Sequence, residues 1–144
     1  MVKSIILCFA LFLTQATYAA RLDRHYYGEW KITAVLDSQE STSLSDDEAG
    51  RLVGTRLVIA PDRVRFGKAD CMHPSFKVAQ RRFYPYFVKQ YNFEPKKLPL
   101  PDKVREITVT CREPVGINFI YVRDREQLVL YWEGYFLNAV KQTR

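Results

Sequence analysis

The feature that most constrains this chain is the alternation of apolar and polar residues over short segments. In the segment 104–112, Ile107, Val109 and Cys111 alternate with polar residues. Successive side chains of a β-strand point to opposite faces of a sheet, so this pattern predicts strands with one buried face. Eight such segments occur, at 27–36, 56–60, 63–66, 75–83, 104–112, 117–122, 127–132 and 135–140. Their number and short spacing predict an all-β fold, an eight-stranded antiparallel up-and-down barrel.

Two segments between the predicted strands favour helix. Ser45 and Glu48 have the spacing of a capping box, and Gly54 is placed to end the helix that this box begins. We therefore predict one short helix between the first two strands. The proline-rich stretch 85–101 predicts a short helix or turn near 86–91, followed by an extended loop.

The N-terminus has the composition of a secretory signal peptide. Lys3 precedes the apolar run 5–13, and the small residues of 17–20 offer a cleavage site after Ala19 or Ala20. The run is too short to span a bilayer, which argues against stable membrane insertion. We therefore expect residues 1–20 to be removed and residues 21–144 to form one domain in the periplasm or outside the cell.

Two cysteines remain after this cleavage, Cys71 and Cys111. In an exported chain they most simply form one disulfide. Asp70, Cys71 and His73 together resemble metal ligands, but the chain has no second cluster to complete a four-ligand site. We therefore expect a disulfide, with no metal ion and no cofactor.

The first and last strands carry a family resemblance. The sequence Gly28-Glu29-Trp30 resembles the Gly-x-Trp motif of lipocalin/calycin barrels, and the segment 128–136 resembles the closing hairpin of small exported domains of that type. The resemblance implies that Gly28 permits a close turn and that Trp30 plugs one end of the barrel. It also implies that Lys141 lies over the Trp30 ring as a cation–π contact.

Motifs that would indicate catalysis are missing from the sequence. It contains no Gly-x-Ser-x-Gly elbow, no Walker A run and no Gly-x-Gly-x-x-Gly. The acidic cluster 46–48 is explained by helix capping, which leaves little support for a small periplasmic hydrolase. We therefore expect a protein that is not an enzyme.

An aromatic and basic segment is the strongest candidate for contact with a partner. Tyrosine is favoured at interfaces, and basic neighbours would attract an acidic protein. The alternative is that the rings only cover an open barrel end. Lys and Arg outnumber Asp and Glu by 22 to 16, but export argues against nucleic acid as the partner. The candidates are Arg82, Tyr84, Tyr86, Phe87, Lys89, Tyr91 and Lys96.

Two functions remain open. The first is a binding protein of the inhibitor or immunity type, and the second is a lipocalin-like carrier of a small apolar ligand. An apolar cavity of about 300 Å³ or more inside the barrel would indicate the carrier. We expect the working surface at the long connections 36–45 and 85–101. Eight regular strands would place these connections at opposite ends, so contact between them would indicate a missed strand within 67–74.

Overall fold

A computed structural model describes residues 21–143 as one curled antiparallel sheet, a half-barrel. The predicted signal peptide, residues 1–20, lies outside the described residues. The all-β prediction is confirmed, but the sheet has nine strands rather than eight. They are β1 (Gly28–Ser38), β2 (Arg56–Ala60), β3 (Arg63–Phe66), β4 (Ala69–Met72), β5 (Ser75–Arg82), β6 (Lys103–Thr110), β7 (Phe119–Val122), β8 (Gln127–Trp132) and β9 (Tyr135–Lys141).

The strand order is β4-β3-β2-β1-β9-β8-β7-β6-β5. Every strand pairs with its neighbour in sequence except β4 and β5. Strands β1 and β9 also pair with each other, which brings the first and last strands together. The additional strand is β4. The sequence analysis missed it because its four residues include two polar or flexible outward-facing side chains, Asp70 and Met72, and no aliphatic alternation.

The chain bends sharply between β4 and β5. Because every pairing in the sheet is antiparallel, β4 and β5 run in the same direction and resemble one strand bent in the middle. His73 at the bend has a φ of 55°, and Pro74 has no N–H to continue a strand ladder. Cys71 and Cys111 lie at disulfide distance, with Cα atoms 5.8 Å apart. This predicted pair ties β4 to the end of β6 across the unpaired seam.

Two α-helices accompany the sheet. The first, α1 (Asp46–Gly50), is the predicted short helix, and Ser45 and Glu48 form its capping box. The second, α2 (Phe83–Tyr91), directly follows β5, begins earlier than the sequence indicated and ends at Asn92 in a left-handed conformation. The helix therefore covers the first part of the segment 85–101, near the predicted position, and residues 92–101 contain neither helix nor strand.

The inner face of the sheet carries the larger hydrophobic core, which we call the inner core. Trp30, Ile32 and Leu57 are fully buried there, together with side chains from the other strands. Leu22 and Tyr26, which lie before β1, are also buried in it. The segment before the sheet therefore helps to close the inner face.

Trp30 lies at the end of the inner core nearest the N-terminal segment. Its indole Nε1 donates a hydrogen bond to the carbonyl oxygen of Tyr26 at 3.1 Å. The Lys141 ammonium lies 5.3 Å from the centre of the indole ring, within the range of a cation–π contact. Gly28 has a φ of 135°, a conformation that favours glycine.

A second core lies on the opposite face of β6 to β9, under α2. We call it the outer core. Helix α2 begins where the Phe83 N–H bonds to the Asp102 carbonyl, and it ends where the Gln39 side chain bonds to the Tyr91 carbonyl. The helix thus crosses the sheet from one end to the other. This crossing explains why the two long connections meet although β1 and β5, the strands they follow, finish at opposite ends of the sheet.

Candidate interaction surfaces

The position of α2 divides the residues predicted to bind a partner. Phe87 and Tyr91 are 0% and 5% exposed, so they face the outer core. The ring of Phe87 packs 4.6 Å from the ring of Tyr121 and 5.7 Å from that of Phe136. Both residues hold the helix in place, and neither offers a surface to a partner in this conformation.

A buried polar network crosses the outer core. The carboxylate of Glu106 on β6 is 1% exposed and accepts two hydrogen bonds from the Arg81 guanidinium, at 3.1 and 3.0 Å. It also accepts one from the Tyr121 hydroxyl at 3.1 Å, and this hydroxyl bonds in turn to that of Tyr91. Because a buried charge is costly without partners, these bonds explain how Glu106 is tolerated there.

Burial changes the acidity of the tyrosines in this region. Burial raises the pKa of Tyr86 to about 12, and the nearby Glu106 carboxylate adds to the effect. Burial also raises the pKa values of Tyr91 and Tyr121 far above the usual range. Tyr86 is half-buried, with the Arg81 guanidinium 4.7 Å from its ring centre. The Tyr86 side chain therefore helps to hold the helix against the sheet and contributes little to the exposed side of the helix.

The outward face of α2 carries the exposed candidates. Tyr84 and Val88 are 54% and 37% exposed, and they are four residues apart, so they lie on the same side of the helix. Lys89 is exposed next to Val88, and Lys96 is exposed on the loop that follows the helix. We call these four residues the helix surface. Arg82, also exposed, precedes the helix at its N-cap position.

A groove borders the helix surface on the side of the β1–α1 connection. It has a volume of about 630 Å³ and is lined in part by Val88, Lys96 and Glu40. Lys96 forms an ion pair with Glu94 at 3.0 Å, so its charge is partly balanced. The positive charge of the helix surface is therefore weaker than the sequence indicated.

A second depression lies at the far end of the sheet, beside the N-terminal segment. We call it the basic cleft. It has a volume of about 590 Å³, is open to solvent, and collects cationic side chains from separate parts of the chain. Its lining residues are Asp23, His25, Tyr26, Gln80, Pro101, Lys103, Arg105, Val122, Arg123, Asp124 and Arg125.

The sequence analysis did not find this cleft. Its residues come from four segments that are far apart in the chain, and no motif links them. The available signal was in β6, where Lys103 and Arg105 alternate with the buried residues Val104 and Glu106. This alternation places two cations on the inner face of the sheet, where a core residue is expected.

Two of the arginines in the basic cleft are held by neutral partners. Arg105 donates a hydrogen bond to the Tyr26 hydroxyl. Arg123 donates to the side-chain oxygens of Gln127 and Asn138, at 3.0 and 3.3 Å. The bond to Tyr26 orients the Arg105 guanidinium without neutralising its charge. Arg123, in contrast, reaches the outer face of the sheet, where Asn138 lies, and also forms an ion pair with Asp124 at 3.8 Å.

Within residues 21–143, no group of three His, Cys, Asp or Glu side chains lies close enough to hold a metal ion. In the same range, no helix is both long enough and apolar enough to cross a membrane. Comparison with protein-family models, with curated proteins and with solved structures found no match for this chain. The lipocalin/calycin resemblance therefore remains a prediction, and the fold is described as a curled half-barrel.

Proposed function

We propose that this chain is an exported, non-enzymatic protein-binding module of the inhibitor or immunity type, and that the helix surface contacts its partner. The observation that supports the proposal is the way in which α2 packs against the sheet. Phe87 and Tyr91 anchor one side of the helix in the outer core, while Tyr84 and Val88 remain exposed on the other. A fixed helix that presents an aromatic ring has little conformational entropy to lose on binding.

The filled inner face favours this function over the carrier. Trp30, Ile32 and Leu57 are fully buried, and buried residues from the other strands pack with them. A carrier needs an apolar cavity where these side chains lie. The inner core therefore supports a structural use of the half-barrel, with binding on its exterior.

Export is supported by two features of different kinds. The sequence of residues 1–20 has the parts of a signal peptide, and Cys71 and Cys111 lie at disulfide distance. Disulfides persist in oxidising compartments such as the periplasm and the extracellular space. An acidic partner fits Arg82 and Lys89, which are exposed at the two ends of the helix.

The test is capture of partners from a periplasmic or secreted extract of the source cells by the immobilised protein. The decisive variant combines Tyr84→Ser, Val88→Ser and Lys89→Gln, which alters the exposed side of α2 and leaves its anchors intact. The matched control combines Val53→Ser, Met72→Ser and Arg65→Gln. Val53 and Met72 are 47% and 53% exposed, and neither lines the groove beside the helix.

We expect the wild type and the control to capture the same protein and the helix variant to lose it. Equal capture by all three would exclude the helix surface as the contact. Extraction of a bound lipid or other apolar molecule from the purified protein, with no captured protein, would favour the carrier instead. Circular dichroism of each variant verifies that the fold is retained.

A further inference from the structure

We propose that the basic cleft binds a phosphate-bearing ligand. The proposal goes beyond the protein-binding function, because it concerns another region of the molecule and another class of ligand. It rests on the charge, the cross-strand arrangement and the orientation of the cations in the cleft.

The cations of the cleft outnumber its anions. Among residues 21–143, Lys103, Arg105 and Arg125 form no ion pair with a carboxylate. The two acidic residues that line the cleft each accept a backbone hydrogen bond, and Asp124 also forms an ion pair with Arg123 at 3.8 Å. Asp23 accepts a hydrogen bond from the N–H of His25 at 3.0 Å, and Asp124 accepts one from that of Glu126 at 2.8 Å.

The strand register brings like charges together. Lys103 lies directly opposite Arg82 in the β5–β6 pair, and Arg105 lies opposite Gln80 in the same pair. Like charges directly opposite each other on one face of a sheet destabilise the fold. A folded chain that keeps such an arrangement commonly does so at a functional site, and a bound anion would relieve the repulsion.

The cations surround the cleft from two sides. Lys103 and Arg105 approach from β6, whereas Arg125 approaches from the β7–β8 turn. Guanidinium groups match phosphate oxygens in a bidentate geometry. A phosphate monoester carries about −1.5 to −2 charges at neutral pH, so it balances several cations better than a single carboxylate does. The volume of about 590 Å³ leaves room for a group attached to the phosphate.

The phosphate could belong to a free compound or to a lipid head group, and two probes separate these sources. Inorganic pyrophosphate is titrated into the isotope-labelled protein and followed by NMR. In parallel, the protein is sedimented with vesicles that contain phosphatidylglycerol. The decisive variant combines Lys103→Gln and Arg125→Gln. Neither side chain makes a hydrogen bond to another described residue, so we expect the variant to keep the fold, and circular dichroism verifies this.

The matched control combines Lys31→Gln and Arg65→Gln, which removes two exposed cations from the outer face of the sheet. We expect saturable binding by the wild type and the control, and at least a tenfold weakening in the cleft variant, because each lost charge-assisted bond is worth about a factor of ten. Amide shifts should centre on residues 103–105 and 122–125. If the wild type and the control sediment with the vesicles and the cleft variant does not, the phosphate belongs to a lipid. If pyrophosphate binding saturates and no protein sediments with the vesicles, the phosphate belongs to a free compound.

Two results would overturn the proposal. One is equal weakening in the cleft variant and the control, which would show non-specific attraction to net charge. The other is the absence of saturable binding in both arms. Neither result depends on whether the helix surface binds a protein, so the two proposals fail separately.

Discussion

The inner face of β6 to β9 packs against aliphatic side chains, whereas the outer face of the same strands packs against α2 through aromatic rings and a buried carboxylate. On the inner side, Ile107 and Leu130 are fully buried among similar residues. On the outer side, Glu106 and Tyr121 are equally buried, but they make directional hydrogen bonds. Apolar packing is non-directional, while a buried network holds only one arrangement of its partners. The outer core therefore fixes how α2 lies, and with it the helix surface.

The largest effect is expected at the inner core. Trp30→Ala removes a fully buried indole and should lower the free energy of unfolding by about 3–5 kcal/mol. Phe87→Ala in the outer core should lower the free energy of unfolding by a similar amount if both cores are equally well packed. Urea unfolding measures both, with the exposed neighbour Lys31→Ala as the control. A cost below about 1 kcal/mol for Phe87→Ala would show that α2 is only loosely attached.

The next largest effect concerns the seam between β4 and β5. Cys71→Ser should lower stability by about 3–4 kcal/mol, because the bond closes a loop between residues separated by 40 positions. Cys111→Ser should cost the same, and the double variant should cost no more than either single one. Additive losses in the double variant would contradict a bond between these cysteines. Two reactive thiols in the native, non-reduced protein would contradict it as well.

A smaller effect is expected for the carboxylate of the outer core. Glu106→Gln keeps the shape of the side chain but removes the charge that Arg81 and Tyr121 bond to. We expect a loss of about 1–2 kcal/mol, reduced because the Arg81 side chain is 38% exposed. The control is Glu29→Gln, whose ion pair with Arg56 lies at the surface and should contribute almost nothing. Equal effects of the two changes would mean that the network does not hold the helix.

The smallest effect is a dependence on alkaline pH. The pKa of Tyr86 is raised from 10.0 to about 12 by burial, so the neutral hydroxyl favours the folded chain. The stability that it contributes is complete below pH 10 and is lost between pH 10 and 12 as the pH rises. The stability of the wild type relative to that of Tyr86→Phe, measured by thermal unfolding, should therefore fall between pH 10 and 12. An unchanged difference from pH 8 to 12 would contradict the burial of this hydroxyl.

Much of the sheet could be predicted from the sequence, because the inner face is marked by residues of period two. Strand β6 shows this in Ile107 and Val109, and the Ser45–Glu48 capping box identified α1 correctly. Strand β4 was missed because its inward-facing residues, Ala69 and Cys71, do not form a recognisable aliphatic alternation with Asp70 and Met72. Its position depends on pairing with β3 and on the bend at His73.

The candidate surfaces were harder to predict, for a physical reason. Phe87 and Tyr84 look equivalent in the sequence, yet one is buried and the other exposed, because α2 folds back over the sheet. Burial in the outer core is a tertiary property that local periodicity does not encode. The basic cleft is a similar case, since the pairing of β6 with β7 brings the β7–β8 turn, which carries Arg125, close to Lys103.

The account depends on which side of α2 faces solvent, and hydroxyl-radical footprinting with mass spectrometry measures this directly. We expect rapid oxidation of Tyr84 and strong protection of Tyr91 and Tyr121, with all three becoming equally reactive after unfolding in urea. Glu106→Gln should increase the reactivity of Tyr91 more than that of Trp30, because the substitution loosens the outer core and leaves the inner core unchanged. Oxidation of Tyr91 as fast as that of Tyr84 in the native wild-type protein would contradict the packing of α2 and the helix surface defined by it.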